Sequence, residues 1–494
     1  MGVSDSKGAE VGPGGEFQAQ QPRHRPLREN AIGATSGIVL GFASAAPGVS
    51  LAGVLASLAG ASGYGALFAL FVGFLPLVGI AFGFYYLNRW RPDVGISYAW
   101  IGRIISPYLG AFVGILIILA FVVSNAFSII PASTTLLTLF SPKYASNHFI
   151  VMITGTVFLL AITVLVVSGI RISARFQWVL TSCELAVFTL FGVWAMVHGL
   201  TTHAVGAKAP SPQWFTIAGA GGTGGLLSGL LITVFWYSGW ETAVVVNEET
   251  THRFRNPGLA GIWALVGVLL ASVVLSMFYL TLVSPKQMGA NSGTWLADVG
   301  THLAGHPWGD ILALAICSSF IGGIQTTIIT FGRVAFSMGR DGVLPKVFAA
   351  VNNRTKTPWL AMIILSVPSF AMFLFSLWSS TGTIGTVLTN LVSSIGLMFV
   401  VYYALTGLTA AWMLRRVVLT SVVSFVTGLL LPVGGALVLI WIGVETLHGL
   451  TAQTILTFVV TLVLAAVVVV LSKVFGKSEF YGHPADVEIE GVES

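Results

Sequence analysis

The sequence predicts an all-α integral membrane protein with twelve transmembrane helices and both termini cytoplasmic. Three observations carry this. Only 8% of the 494 residues are Asp, Glu, Lys or Arg, whereas 55% are hydrophobic; a soluble domain carries about 25% charged residues. Runs free of those four residues are long enough for a helix to cross the hydrocarbon core, which takes about 20 residues. The basic residues fall almost wholly on one side of those runs. The composition excludes a water-soluble globular protein, and also a disordered one, because disorder needs low hydrophobicity and high charge. The 57 Gly and 19 Pro are scattered through apolar runs, unlike low-complexity sequence. Cys183 and Cys317 sit inside apolar stretches, so neither a disulfide framework nor a metal cluster follows.

The spans follow in order. Residues 30–88 hold the first two, with a turn near Gly60 to Gly63. The runs 104–142 and 144–170 give one each, and 176–207, interrupted only by Glu184, gives the fifth. The sixth is 209–240, continuing through Glu241, and the seventh is 256–285. Residues 311–332 give the eighth, 357–414 hold two, and 417–444 and 446–472 complete the set. Residues 1–29 are polar and lack the apolar core of a signal peptide, so the first spans are expected to act as the targeting signal. Residues 477–494 read as a polar, disordered tail. With the N-terminus inside, 20 of the 23 Lys and Arg are cytoplasmic, and only Lys143, Lys208 and Lys286 lie outside. That asymmetry explains the net charge of +5 without a nucleic-acid partner.

Spans one and six share an interruption. Span one contains Gly41-Phe42-Ala43-Ser44-Ala45-Ala46-Pro47-Gly48, and span six contains Trp236-Tyr237-Ser238-Gly239-Trp240-Glu241. Gly and Pro weaken a helix, and freed backbone groups are tolerated in lipid only where they line a cavity. Two corresponding interrupted segments point to a transporter site between inverted repeats. Trp100 through Pro107-Tyr108-Leu109-Gly110 is echoed by Trp295 through Pro307-Trp308-Gly309, again at an offset of about 200 residues. A unit of five helices repeated once must be inverted, because five is odd. The expected organisation is a tail at 1–29, one five-helix repeat at 30–200, its inverted copy at 201–415, spans eleven and twelve at 416–474, and a tail at 475–494.

Three motifs then resemble those of the amino acid–polyamine–organocation (APC) permeases. Tyr85-Tyr86-Leu87-Asn88-Arg89-Trp90-Arg91-Pro92-Asp93-Val94-Gly95-Ile96-Ser97-Tyr98 resembles the family's segment after span two. Phe235 through Glu241, with Glu248-Glu249-Thr250 and Asn256-Pro257, resembles its span-six motif and exit. Arg333 through Pro345, followed by Thr357-Pro358, is similar to its span-eight ending. The resemblance implies the five-plus-five fold, alternating access, and amino acids or related amines as cargo. Span one departs from the family's usual Gly-Ser-Gly or Gly-Ala-Gly by reading Ala-Ser-Ala-Ala-Pro-Gly from Ala43; small residues and a breaker are kept.

An amino acid presents a carboxylate and an ammonium, each costly to strip of water. Half-helix ends answer both, amides for the carboxylate and carbonyls for the ammonium. The substrate-binding candidates are therefore Ala43, Ser44, Ala45, Ala46 and Gly48 from span one, with Phe235, Trp236, Ser238, Gly239 and Trp240 from span six. Ser44 alternatively caps its own broken turn, and the tryptophans alternatively pack helices. The resemblance places Phe235 where relatives cover the substrate with an aromatic ring. Glu241 is the foremost coupling candidate: a carboxylate at mid-membrane costs about 2.5–3.5 kcal/mol on insertion scales, so it is expected to be protonated, paired or functional. Glu184 is the second acid, and the resemblance places it where proton-coupled relatives carry a lysine; Ser318 and Ser319 are candidate oxygen donors to a sodium ion. Asp298, His302 and His306 have helical spacing but make weak metal ligands, and neither a metal nor a cofactor is expected.

The expected function is secondary active transport of an amino acid or amine across the cell membrane, coupled to protons. Exchange or sodium coupling is the alternative. A membrane-embedded enzyme lacks a nucleophile motif here, ATP-driven transport lacks a phosphate loop, and a nutrient sensor is expected to carry a sizeable cytoplasmic domain.

Overall fold

The computed structural model describes residues 27–202, 206–290, 294–378, 384–415, 421–475 and 478–482. Most of both polar tails, with Arg416 and Lys477, lies outside them. Regular structure among the described residues is helical, apart from an isolated bridge between Ile32 and Thr250. In lipid, backbone N–H and C=O groups must be paired inside the protein, and a helix does this within a single segment.

The first run opens with α1 (Ala34–Ser44), breaks, and resumes through Pro47–Val49 and a π-helical Ser50–Val54 into α2 (Leu55–Ser62). Then come α3 (Ala66–Trp90), the short α4 (Ser97–Ile104), α5 (Pro107–Thr138), α6 (His148–Val167) and α7 (Ile170–Thr202). The chain continues with α8 (Gly222–Tyr237), a break, α9 (Thr242–Val245) and α10 (Asn256–Leu282). The short α11 (Trp295–Ala304), α12 (Asp310–Arg340), α13 (Trp359–Trp378) and α14 (Ile384–Leu414) follow. A π-helical Val426–Leu430 leads into α15 (Leu431–Leu447), and α16 (Ala452–Phe475) ends the bundle.

Ten stretches among the described residues are long and apolar enough to cross a membrane, with Ala34–Trp90 counted as one of 57 residues. The 16-residue α8 is too short to count alone. Burial separates centre from rim. In α5, 94% of the most apolar window is buried, against 17% in α16. The core is built by α12 lying along α5, and by α3 lying along α10 and α15.

One end of the bundle carries a charge network. Asp93, buried between α3 and α4, accepts from Ser337 at 2.7 Å and lies 3.1 Å from Arg340 and 3.5 Å from Arg103. Arg340 also donates to both carboxylate oxygens of Glu248, at 2.9 and 3.1 Å. Burial pushes the Asp93 carboxyl up, but Arg340 and Arg103 outweigh it and hold it well below the usual carboxylate range. Beside this network, Arg333 of α12 pairs with Glu249 at 2.6 Å, both fully buried. The Glu249 carbonyl accepts from the amides of Ala31 and Ile32 at 2.7 and 3.2 Å, which ties the chain before α1 to the turn after α9.

Asp93→Asn should destabilise the protein by about 2 kcal/mol, the scale of hydrogen bonds to a charged group. The loss should be equal at pH 7 and pH 5. A carboxyl depressed below its unfolded value of about 3.9 contributes fully above that pH, and its contribution fades only as the pH falls further. Melts of both proteins at pH 7, 5 and 3 check this; a gap that closes between pH 7 and 5 contradicts the pairing.

Candidate functional site

The sequence Ala45-Ala46-Pro47 ends α1. Proline has no N–H to donate and disfavours the helical conformation of the residue before it. Ala46 accordingly turns left-handed, at φ 44°. The loosened groups find specific partners. Ser50 Oγ donates to the Ala45 carbonyl at 3.1 Å, the Ser50 amide to the Ala46 carbonyl at 2.9 Å, and the Gly48 amide to Ser319 Oγ of α12 at 2.9 Å. Gly48 permits this approach, because a Cβ there would lie 2.5 Å from Phe188 and 2.6 Å from Ser319.

The second break follows α8. Ser238 is extended (ψ 151°) and Gly239 adopts φ 102°. Glu241 stitches this break: its Oε2 accepts from the Gly239 amide at 3.0 Å and from the Tyr403 hydroxyl of α14 at 2.7 Å. The two breaks touch. A Cβ on Gly239 would lie 2.7 Å from Ser44 Oγ and 2.8 Å from the Ser44 carbonyl. Thr242 Oγ1 donates to Ser44 Oγ at 3.0 Å and shares a 2.8 Å bond with Thr330 of α12.

A cavity of about 40 Å³ opens between the breaks, room for a few water-sized groups. Ser44, Ala45 and Ala46 line it from the first break, and Phe235, Ser238 and Gly239 from the second. The remaining wall includes Ser124, Phe127 and Ser128 of α5, Gly323 and Thr327 of α12, and Phe399 of α14. Phe127 meets Phe235 edge-on, with centroids 5.6 Å apart at 85°. The lining contains hydroxyls, aromatic rings and loosened backbone, and no charged side chain. Charged ends of a ligand would therefore meet backbone dipoles and hydroxyls, and its carbon body the phenylalanine rings.

Other sequence candidates fall outside that lining. Trp236 donates its indole N–H to Ser272 Oγ at 2.6 Å and so ties α8 to α10. Trp240 packs edge-on to Phe84 and stacks on Tyr403, with centroids 5.0 and 6.0 Å away. Ala43 is buried within the last turn of α1, and Gly48 is left out of the lining between Ala46 and Val49, which both contribute to it. The Glu184 carboxyl, buried in α7, sits beside the hydroxyls of Ser318 and Ser319. Through Ser319 it connects to the Gly48 amide, so these three candidates share one polar cluster with the first break. The metal candidates part company: His306 pairs with Asp310 at 2.8 Å, while Asp298 accepts from Thr294. Among the described residues, no three His, Cys, Asp or Glu side chains group as a metal site.

Residues 30–418 match the family model described as Amino acid permease. The chain belongs to that family. Its relatives are transporters, and the family is one of permeases, within the APC superfamily, not of enzymes. Similar proteins include the rabbit b(0,+)-type amino acid transporter 1, 24% identical over 53% of this chain and 54% of its own length. The vacuolar cationic amino acid transporter 4 of Arabidopsis thaliana is 25% identical over 44% of this chain and 35% of its own length. The branched-chain amino acid permease BcaP of Lactococcus lactis is 24% identical over 64% and 70%. The chain thus spans about half the length of the rabbit relative and about a third of the plant one. Among solved structures, MhsT in complex with L-phenylalanine superimposes with a TM-score of 0.63 at 13% identity, over 85% of this chain and 100% of that one. That likeness shows the fold.

Gly239→Ala should cost at least about 2 kcal/mol, because it combines an unfavourable positive φ with a clash against Ser44. Thermal unfolding of the purified permease in detergent checks it; an unchanged midpoint contradicts the abutted breaks.

Proposed function

We propose that this permease is a secondary active transporter that moves an amino acid or related amine across the cell membrane by alternating access, driven by protons. The reading includes twelve spans. In it Ala34–Trp90 provides two, and α8 with its continuation through α9 provides the sixth. Both termini are cytoplasmic, so the charge network is an inner seal. Residues 30–200 and 201–415 form the two inverted repeats, with 416–474 outside them. The observation that carries the reading is the pair of abutted helix breaks facing a cavity without charged side chains. A zwitterion supplies both charges itself and needs only oriented backbone groups to receive them. The names of the relatives, which are amino acid transporters, favour the same cargo class.

In this reading Ser44, Ala45, Ala46, Ser238 and Gly239 offer mainly backbone, and Phe235 covers the ligand. Glu241 acts one layer behind. Its Oε2 holds the Gly239 amide and the Tyr403 hydroxyl, while its buried Oε1 meets no hydrogen-bond partner among the described residues. A proton on that free oxygen would change the balance of the break it stitches. Glu241→Gln should therefore remove pH-driven uptake into proteoliposomes, and unchanged pH dependence would refute the assignment.

A second reading, sodium coupling, draws on the Glu184–Ser318–Ser319 cluster, since oxygen-rich sites suit hard cations. Counterflow with and without sodium separates the two, and strict sodium dependence overturns the proton reading. The cargo itself is testable by thermal shift of the purified protein against single amino acids and amines. A true ligand at 100 times its Kd should add about 2.7 kcal/mol of stability; silence across the whole set would count against amino acid or amine cargo.

A further inference from the structure

The last described residues do not trail away from the bundle, as the polar composition of the tail suggests. A turn at Glu479–Tyr481 returns to the charged end. Phe480 is buried and stacks on Tyr98 of α4, with centroids 4.9 Å apart and planes at 26°. It fills a notch left by Gly102, where a Cβ would lie 2.4 Å from its ring. The Arg103 guanidinium lies 5.8 Å from the same ring. Ser478 Oγ donates to the Asp341 carbonyl at 2.6 Å. Tyr481 stacks on Tyr108 at the start of α5, 5.1 Å away, and shares a hydrogen bond with Ser472.

The residues so gripped belong to the network that closes this end. Tyr98 donates to Asp341 Oδ2 at 2.9 Å, and Arg103 reaches Asp341 at 3.3 Å and Asp93 at 3.5 Å. From Asp93 the network runs through Arg340 to Glu248, in the turn after α9. In the alternating-access reading, opening this end parts Arg340 of α12 from Asp93, before α4, and from Glu248, after α9. A group that fixes Tyr98 and Arg103 in their paired positions favours the closed arrangement, and it does so by as much as its contacts differ between the two states.

We propose that residues 478–482 are a clasp, an aromatic segment of the chain's own C-terminal region docked on α4 and α5 that holds the charged end shut. The proposal rests on the alternating-access reading for its purpose, but its contacts can be tested without transport. One stacked aromatic pair is worth a bias of about two- to twelvefold.

Hydrogen exchange on the full-length protein in lipid nanodiscs, without substrate, tests it with Phe480→Ala. Phe480→Ala should speed exchange about two- to twelvefold at amides 97–104, and equally at 247–250, across the network from the tail. Amides of α8 and α15 should be unchanged. Faster exchange confined to 97–104 would mean local fraying, and a uniform rise would mean general loosening. Either result, or no change, overturns the clasp. A wild-type protein that moves no amino acid or amine would sink the transporter reading instead, leaving the exchange comparison intact.

Discussion

Everything at the centre of this permease depends on how two interrupted helices satisfy backbone groups that a bilayer cannot solvate. Each unpaired amide or carbonyl in hydrocarbon costs several kcal/mol, so a break survives only if something answers it. Here nearby residues answer it, Ser50 and Ser319 at the first break and Glu241 at the second, and the two breaks brace one another. Gly239 lies against Ser44 with no room for a side chain, and Thr242 bonds to Ser44 across the gap. Glu241 completes the arrangement by reaching back to the Gly239 amide while Tyr403 holds it from α14. The cavity is the volume left between these mutually supporting ends.

That arrangement links the site to the rest of the bundle through few, specific bonds. Ser44, Thr242 and Thr330 form a line of hydroxyls joining both breaks to α12. One turn further along α12, Arg333 grips Glu249, whose carbonyl holds the chain entering α1. On the other side of the first break, Gly48 donates to Ser319, beside Glu184. Movement of α1 relative to α12 must therefore break named bonds at both ends of the break. Buried pairs of this type are costly to leave half-made, so they favour two discrete arrangements over a continuum.

Much of this is legible in the sequence. Charge-free runs locate the helices because hydrocarbon excludes Lys, Arg, Asp and Glu with few exceptions, and the breaks announce themselves through Pro47 and Gly239. The wall contributed by α5, α12 and α14 is not legible by residue. Ser124 and Ser128 bond to carbonyls four residues back, as hydroxyls do in any apolar helix, so their sequence carries no sign of a cavity. Trp236 and Trp240 mislead in the opposite sense. They lie at and within the break in sequence, but their side chains turn away from the cavity into contacts with Ser272, Phe84 and Tyr403. The polar tail misleads too, since Phe480 and Tyr481 find an aromatic seat that only the folded bundle creates.

The central claim is that the paired breaks hold the two charged ends of the substrate with backbone groups. Its most direct test is an electron cryomicroscopy map of the permease with a bound amino acid. The account predicts ligand density between Ala45 and Gly239, with carboxylate and ammonium each within hydrogen-bond distance of backbone atoms at the two breaks. Density for the ligand elsewhere, or two continuous helices with filled space between them, would contradict it.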